Sequence, residues 1–130
     1  MATFLLDTSV IIDTIYEKKN RRFLLKQLVL QGHILACCAI NVSEVYAGLR
    51  PNEEERTKTF LGTLDYHPIS FHIAELGGLL KRDHARKGIT LSLTDAMIAA
   101  VAIHHQLILM TDNVKHFPMK ELNLYPLPKA

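Results

Sequence analysis

Residues 3–13 of the chain read TFLLDTSVIID, and this stretch decides the fold. Thr3–Leu6 is a short apolar run of strand length, and one acid, Asp7, separates it from a segment whose apolar residues recur at helical spacing. We therefore predict a strand over 3–6 that passes through Asp7 directly into a helix over 8–16. A strand that leads straight into a helix is the opening unit of an α/β domain.

The same alternation of apolar runs and helical segments continues to the end of the sequence. Further strands are predicted at 34–39, 66–69, 107–110 and 122–127, and further helices at 21–31, 42–49, 52–63, 72–87 and 94–106. Pro68 places the strand over 66–69 at an edge or a strand start, because proline cannot donate to a central ladder. The pattern predicts a single α/β domain over 1–130, with a central, mainly parallel sheet flanked by helices.

Length and composition restrict the class of protein. The 130 residues are 48% hydrophobic and 22% charged, which is typical of one globular domain and excludes a disordered chain. The apolar runs are far shorter than the roughly 20 residues that cross a bilayer. Because the N-terminus also lacks a basic region before its apolar run, we expect a cytoplasmic protein without a membrane contact. A net charge of +2 does not by itself indicate nucleic-acid binding.

The two cysteines, Cys37 and Cys38, are adjacent within an apolar run. This spacing fits neither a CxxC redox pair nor a zinc knuckle, so we predict buried free thiols. The neighbouring histidines His104 and His105 project about 100° apart on a helix and are interpreted as surface or helix-end residues rather than as a metal site.

Five acids lie in apolar sequence, where an ionised side chain is costly unless a cation or hydrogen-bond donors compensate it. They are Asp7, Asp13, Glu44, Asp95 and Asp112. Asp7 and Asp112 follow predicted strands, whereas Glu44 and Asp95 lie at the start of predicted helices, and these positions share one edge of a parallel sheet. A cluster of like charges is stable chiefly around a hard divalent cation, and oxygen ligands favour Mg²⁺ or Mn²⁺.

Helix capping is an alternative explanation for each of these acids taken singly. Residues 41–44 have the spacing of a capping box, residues 92–95 resemble one, and Asp7 and Asp112 could occupy turns or caps. The convergence of all four on one sheet edge favours the metal site. Asp13 lies within the first helix and is either a ligand or a supporting acid.

Four segments carry a family resemblance: LLDTSVIID at 5–13, NVSEVYAG at 41–48, TDAMIAA at 94–100, and MTDN at 110–113 with His116 and Phe117. Together and in this order they resemble PIN-domain proteins of the VapC toxin type over essentially the whole chain. The resemblance implies a three-layer sandwich, a metal-dependent ribonuclease and a cognate antitoxin that blocks the site. It also implies an acidic quartet, defined as Asp7, Glu44, Asp95 and Asp112, which is both catalytic and metal-binding.

The expected reaction is two-metal hydrolysis of an RNA phosphodiester, with Asp7 shared between ions of Mg²⁺ or Mn²⁺ and a metal-activated water. Thr8, Ser9, Asp13 and Asn113 are expected to support the site, and His116 to lie at its rim. The basic cluster Lys18, Lys19, Arg21 and Arg22 is the candidate contact to the RNA backbone, although such a run is often only a solvated face.

The expected partner is a small antitoxin, and we also expect a homodimer. The helices on either side of residues 50–52 carry apolar residues that could form a groove for an antitoxin segment or could pack into the core; these are Tyr46, Leu49, Phe60, Leu61 and Leu64.

Other classes fit the residues less well. A receiver-type phosphoacceptor needs paired acids after the first strand, and a haloacid-dehalogenase-type phosphatase needs DxD there, where this chain has Asp7-Thr8-Ser9. No GxGxxG, P-loop or GxSxG motif occurs. A non-catalytic module that only binds its partner remains the main alternative to the nuclease.

Overall fold

The computed structural model describes residues 1–127, in which a parallel sheet lies between two layers of helices. The strands are β1 Thr3–Leu6, β2 Ile34–Cys38, β3 Asp65–His67, β4 Ile108–Thr111 and β5 Asn123–Pro126. The helices are α1 Thr8–Ile15, α2 Arg21–Leu30, α3 Ala39–Ala47, α4 Glu54–Leu61, α5 Phe71–Arg86 and α6 Leu93–His105. Short 3-10 turns cover Pro51–Glu53 and Val114–His116.

The sheet has the order β3-β2-β1-β4-β5, and every neighbouring pair is parallel. The predicted α/β class with a central parallel sheet is therefore confirmed. The strand at Asp65–His67 lies at an edge, as Pro68 predicts. Because β1 and β4 are neighbours, the residues that follow them meet at the same edge of the sheet.

Alternation along the strands divides the core into two layers. Phe4 and Leu6 of β1 pack with α1 and α2 on one face, whereas Leu5 packs with α5 and α6 on the other. Burial on both faces explains why the strands read as continuous apolar runs. Within the described residues, no helix is long and apolar enough to cross a membrane.

The helix predicted at 42–49 begins three residues earlier, at Ala39. The Asn41 side chain causes this shift, because its Oδ1 accepts the Cys38 backbone N–H at 2.8 Å and fixes the first turn. Glu44 consequently lies in the second turn of α3 and is not the acid of a capping box. The helix predicted at 52–63 begins as the 3-10 turn Pro51–Glu53, and the other boundaries shift by one or two residues.

A second set of contacts ties the end of α1 to the turn before α4. The Tyr16 hydroxyl donates to Glu53 Oε1 at 2.7 Å, and the Arg50 backbone N–H donates to the same oxygen at 3.0 Å. The hydrogen bond from Tyr16 is the main reason why the pKa of Glu53 lies below its usual value. These bonds hold a carboxylate that the fold has largely removed from water.

The helical hairpin of α5 and α6 depends on a close approach at Gly77. A Cβ atom at this position would lie 2.6 Å from Met97 Sδ and 3.3 Å from Met97 Cα, whereas a Cβ at Gly78 would meet no atom within 4 Å.

Both cysteines are buried and free, as predicted, and burial is the main factor that raises the pKa of Cys37 to about 11.

Candidate active site

Asp7 connects β1 to α1 and is the most enclosed of the candidate acids, with 6% of its surface exposed. Its backbone N–H donates to the Met110 carbonyl at 2.9 Å, which extends the pairing of β1 with β4 by one residue. Its Oδ1 accepts the Thr8 N–H at 2.8 Å, and its Oδ2 accepts the Thr111 hydroxyl at 2.8 Å. Asp7 therefore caps α1, as the capping alternative has it, but it is also buried.

Helix capping does not account for the direction of the Asp7 pKa shift. Burial raises its pKa most, the hydrogen bonds from Thr111 and Thr8 lower it, and the charges of Asp95 and Glu44 raise it again. The net pKa lies above the usual value, because the two donors do not fully replace water. Asp7 is thus a buried carboxylate that interacts unfavourably with two further members of the acidic quartet.

Glu44 is linked to Asp7 through Thr8, which donates a hydrogen bond to each of the two acids. The Thr8 hydroxyl donates to Glu44 Oε1 at 2.6 Å, and the Asn41 amide donates to the Thr8 oxygen at 3.0 Å. Asn41 is fully buried and is itself fixed by its bond to the Cys38 N–H. The first turn of α3 therefore sets the position of the Thr8 hydroxyl, which in turn holds Glu44.

Asp112 follows β4 and is compensated by cations. Ser9 Oγ donates to its Oδ1 at 3.1 Å, Lys19 Nζ lies 3.2 Å from its Oδ2, and Arg21 Nη2 lies 3.5 Å from the same atom. Burial alone would raise the pKa of Asp112, but the hydrogen bonds from Lys19 and Ser9 and the two positive charges outweigh it and lower the pKa. Lys19 also lies 3.4 Å from Asp13 Oδ2, so Asp13 supports the same ion pair.

Asp95 lies in the first turn of α6, where its N–H donates to the Ser92 hydroxyl at 3.1 Å. Helix capping by Ser92 therefore accounts for the hydrogen bond of the Asp95 backbone N–H. Its carboxylate has another neighbour, because Oδ2 lies 3.6 Å from His116 Nδ1. His116 is thus placed beside Asp95, and its role at the rim of the site stays a prediction.

The basic cluster divides into two groups. Arg21 is only 2% exposed and pairs with Asp112, so the expectation that it contacts an RNA backbone at the surface is corrected. The side chain of Arg22 is 67% exposed and pairs with Glu17 at 2.5 Å, and Lys19 is partly exposed while bound to the acids. Lys18 is exposed and lies 5.8 Å from the Tyr16 ring.

Two polar residues that position the acids are missed by the sequence argument. Thr111 ends β4 fully buried, donates to Asp7, and accepts the Asn113 backbone N–H at 2.9 Å. Asn41 supports Glu44 through Thr8. Both lie one to three residues from a predicted acid, and a buried polar residue in an apolar run is the signal that could have found them. Asn113, a predicted supporting residue, contributes its backbone N–H to this network.

The donor set fits a hard divalent cation, because the quartet offers carboxylate oxygens and the buried member carries an uncompensated electrostatic cost. Within residues 1–127, no three His, Cys, Asp or Glu side chains are already arranged to hold an ion. The ion pairs of Lys19 and Arg21 with Asp112 are consistent with this finding, since they neutralise one of the four acids.

A parallel α/β domain with acids at the carboxyl edge of its sheet is thus the class that fold and site define. The chain belongs to the PIN domain family, whose model matches residues 4–118. It is 30% identical over 115 residues to Ribonuclease VapC19 of Mycobacterium tuberculosis (strain ATCC 25618 / H37Rv). The match covers 88% of this chain and 92% of that protein.

Solved structures agree with the fold. VapBC2 from Rickettsia felis, bound to a DNA fragment from its promoter, has a TM-score of 0.86 at 22% identity and covers 97% of this chain and 99% of that chain. A toxin-antitoxin complex from Klebsiella pneumoniae has a TM-score of 0.75 at 28% identity and covers 98% and 100%.

Proposed function

We propose that this chain is a metal-dependent endoribonuclease that acts as the toxin of a toxin-antitoxin pair. The observation that carries the proposal is the buried Asp7 carboxylate, whose pKa is raised by burial and by the charges of Asp95 and Glu44. A fold that only needed a helix cap would not place two further carboxylates where they destabilise it. The relatives named as VapC ribonucleases and the similar toxin-antitoxin complex from Klebsiella pneumoniae support the same proposal.

The acidic quartet would hold Mg²⁺ or Mn²⁺. Two such ions would supply activation of a water for attack on the phosphodiester and stabilisation of the leaving oxygen. The chain's own residues keep the ligands in place: Thr111 and the Thr8 N–H fix Asp7, the Thr8 hydroxyl fixes Glu44, and Ser9 fixes Asp112. Asp13 supports the site through its ion pair with Lys19, and the Asn113 backbone N–H supports it by donating to the Thr111 hydroxyl.

Binding of the RNA backbone is proposed for Lys18, Lys19 and Arg22. Lys19 lies next to Asp112 with a partly exposed side chain, so it can exchange its carboxylate partner for a phosphate once a metal neutralises the acids. Lys18, just before α2, and Arg22, in its first turn, add exposed positive charge near Lys19 in the sequence.

The antitoxin is proposed to insert an apolar segment into a groove of about 470 Å³ between α1, α2 and α4. Ile15, Leu25, Val29 and Phe60 are among the apolar residues of its wall, and its basic lining residues would favour acids next to the inserted segment.

This proposed position differs from the helix-pair groove expected from the sequence. Phe60 lines the observed groove, but Leu64 is buried in the core and Tyr46 is exposed on α3, so the five residues do not form one surface. A basic antitoxin side chain at the acidic quartet and a homodimer of the toxin stay predictions.

The test is cleavage of a mixed RNA substrate by the purified chain, with Mg²⁺ or Mn²⁺ and with a chelator. We expect cleavage only with the metal, and we expect the purified antitoxin to suppress it. The RNA contact is tested with two double variants. The first pair of substitutions is Lys18→Ala with Arg22→Ala, and the control pair is Lys81→Ala with Arg82→Ala. The first pair should weaken RNA binding and flatten its salt dependence, because fewer counterions are released. A chain that binds its antitoxin but never cleaves RNA would establish the non-catalytic alternative.

A further inference from the structure

Asn41, in the first turn of α3, makes more contacts than the start of a helix needs. Its Oδ1 accepts the Cys38 backbone N–H at 2.8 Å, and its Nδ2 donates to Thr8 Oγ1 at 3.0 Å. Asn41 is fully buried, so both polar ends of its amide depend on partners within the protein. The two bonds tie the end of β2 to the start of α1.

The chemistry of these partners fixes the direction of every bond. A backbone N–H can only donate, so the Asn41 oxygen faces Cys38 and the NH₂ group faces Thr8. The Thr8 oxygen accepts from that NH₂ group, and its single hydroxyl proton is left for Glu44 Oε1, at 2.6 Å. These bonds form the Asn41 network, which runs from Cys38 through Asn41 and Thr8 to Glu44.

Helix capping accounts for only one end of the Asn41 amide. A residue at the third position of a helix caps it by offering an acceptor to the N–H of the N-cap residue, and a carboxylate serves as well as an amide. Asn41 offers that acceptor to Cys38. The donor end has no part in capping and is bonded to Thr8 instead.

Thr8 is the residue through which Asn41 reaches the acids. Its backbone N–H donates to Asp7 Oδ1 at 2.8 Å, while its hydroxyl donates to Glu44. Thr8 is only half-buried, so packing alone does not hold its hydroxyl, whereas Asn41 is fully enclosed and fixed at both ends. The direction of the Thr8 hydroxyl is therefore set from the interior of the protein.

We propose that Asn41 is a positioning residue for Glu44, because its NH₂ group directs the Thr8 hydroxyl proton to this carboxylate and holds it in place as a ligand for the divalent ion. The inference rests on the proposed function, in which Glu44 binds the metal. The Asn41 network uses Oε1 of Glu44, and Oε2 takes no part in it.

A double-mutant cycle on Mn²⁺ affinity tests whether Asn41 acts through Thr8. Mn²⁺ is titrated into the full chain without RNA, and the free ion is measured by its EPR signal. We expect Asn41→Ala and Thr8→Val each to weaken binding by about tenfold to a hundredfold, the range typical of residues that hold a metal ligand. The double variant should bind no more weakly than Thr8→Val alone, because both substitutions break the same path.

Asn41→Asp separates positioning from helix capping and from charge. The substitution keeps an acceptor for the Cys38 N–H, so α3 should begin as in the wild type, but it offers Thr8 an acceptor in place of a donor. The Thr8 hydroxyl proton then turns to position 41 and leaves Glu44. An added carboxylate would by its charge attract Mn²⁺ more strongly, so weaker binding in mildly alkaline buffer identifies a loss of positioning.

Thr14→Val is the matched control for Thr8→Val. Thr14 is a buried residue of α1 whose hydroxyl donates to the Val10 carbonyl at 2.7 Å, and its loss should leave Mn²⁺ affinity unchanged. Additive losses in the double variant, or wild-type affinity in Asn41→Asp, would overturn the inference. A wild-type chain that binds no Mn²⁺ would overturn the proposed function together with it. Binding of Mn²⁺ without RNA cleavage would contradict only the proposed nuclease, because the cycle is measured without RNA.

Discussion

Thr111→Val removes the hydroxyl that holds Asp7 while keeping the shape of the side chain. Thr111 is fully buried, donates to Asp7 Oδ2 at 2.8 Å, and accepts the Asn113 N–H at 2.9 Å. A hydrogen bond to a charged group contributes about 1.5–3 kcal/mol, and the unpaired Asn113 N–H adds to the loss. We expect the free energy of unfolding to fall by about 2–4 kcal/mol.

Thr111→Ser is the matched control, because it keeps the hydroxyl and loses one methyl group, which costs about 1 kcal/mol. Urea unfolding at neutral pH should separate the two variants by roughly 1 M in midpoint. The hydroxyl lowers the pKa of Asp7, so its removal raises that pKa further, and the metal-dependent cleavage profile of Thr111→Val should move to higher pH. Equal midpoints and equal pH profiles for the two variants would refute the positioning role of Thr111.

Three further predictions concern the rest of the fold. Gly77→Ala should destabilise the chain by about 1–3 kcal/mol relative to Gly78→Ala, measured by urea unfolding, because only the first Cβ collides with α6; equal midpoints would contradict this. Cys37 and Cys38 should resist iodoacetamide in the folded protein and react in urea, as counted by intact mass, because both are buried with raised pKa values; rapid native labelling would contradict it. Because the folded-state pKa of Glu53 is lowered, the stabilisation that its ionised carboxylate gives the fold is present at neutral pH and lost in acid. The wild type should therefore lose more stability below pH 4.5 than Glu53→Gln; parallel losses in the two proteins would contradict this prediction.

The fold was predictable because local patterns and topology rules agree. The alternation of Phe4, Leu5 and Leu6 reads as a strand buried on both faces, and the parallel sheet then brings Asp7 and Asp112 to one edge. The start of α3 was not predictable from capping preferences, since its first turn depends on Asn41 bonding back to the Cys38 N–H. Periodicity cannot detect a single side-chain bond of this kind.

The charge partners of the acids depend on a turn that the sequence pattern does not reveal. Between α1 and α2, Glu17, Lys19 and Asn20 adopt positive φ angles of 55°, 56° and 55°. Left-handed residues reverse the chain tightly, and both Lys19 and Arg21 lie next to Asp112, with Arg21 buried there and Lys19 still partly exposed. The sequence predicts that the basic cluster is a solvated face or an RNA contact as a whole. In the structure its members differ, because Arg21 is buried and Arg22 is exposed.

The central claim, that the acidic quartet is a metal-dependent nuclease centre, is tested most directly by Asp7→Asn, with RNA cleavage and thermal unfolding measured on the same samples. The substitution keeps the shape of the side chain and removes a buried charge that Asp95 and Glu44 repel. We predict that the variant unfolds at the same or a higher Tm, loses the Tm gain that Mg²⁺ or Mn²⁺ gives the wild type, and no longer cleaves RNA. Cleavage by Asp7→Asn at the wild-type rate, with an unchanged response to the metal, would contradict the claim.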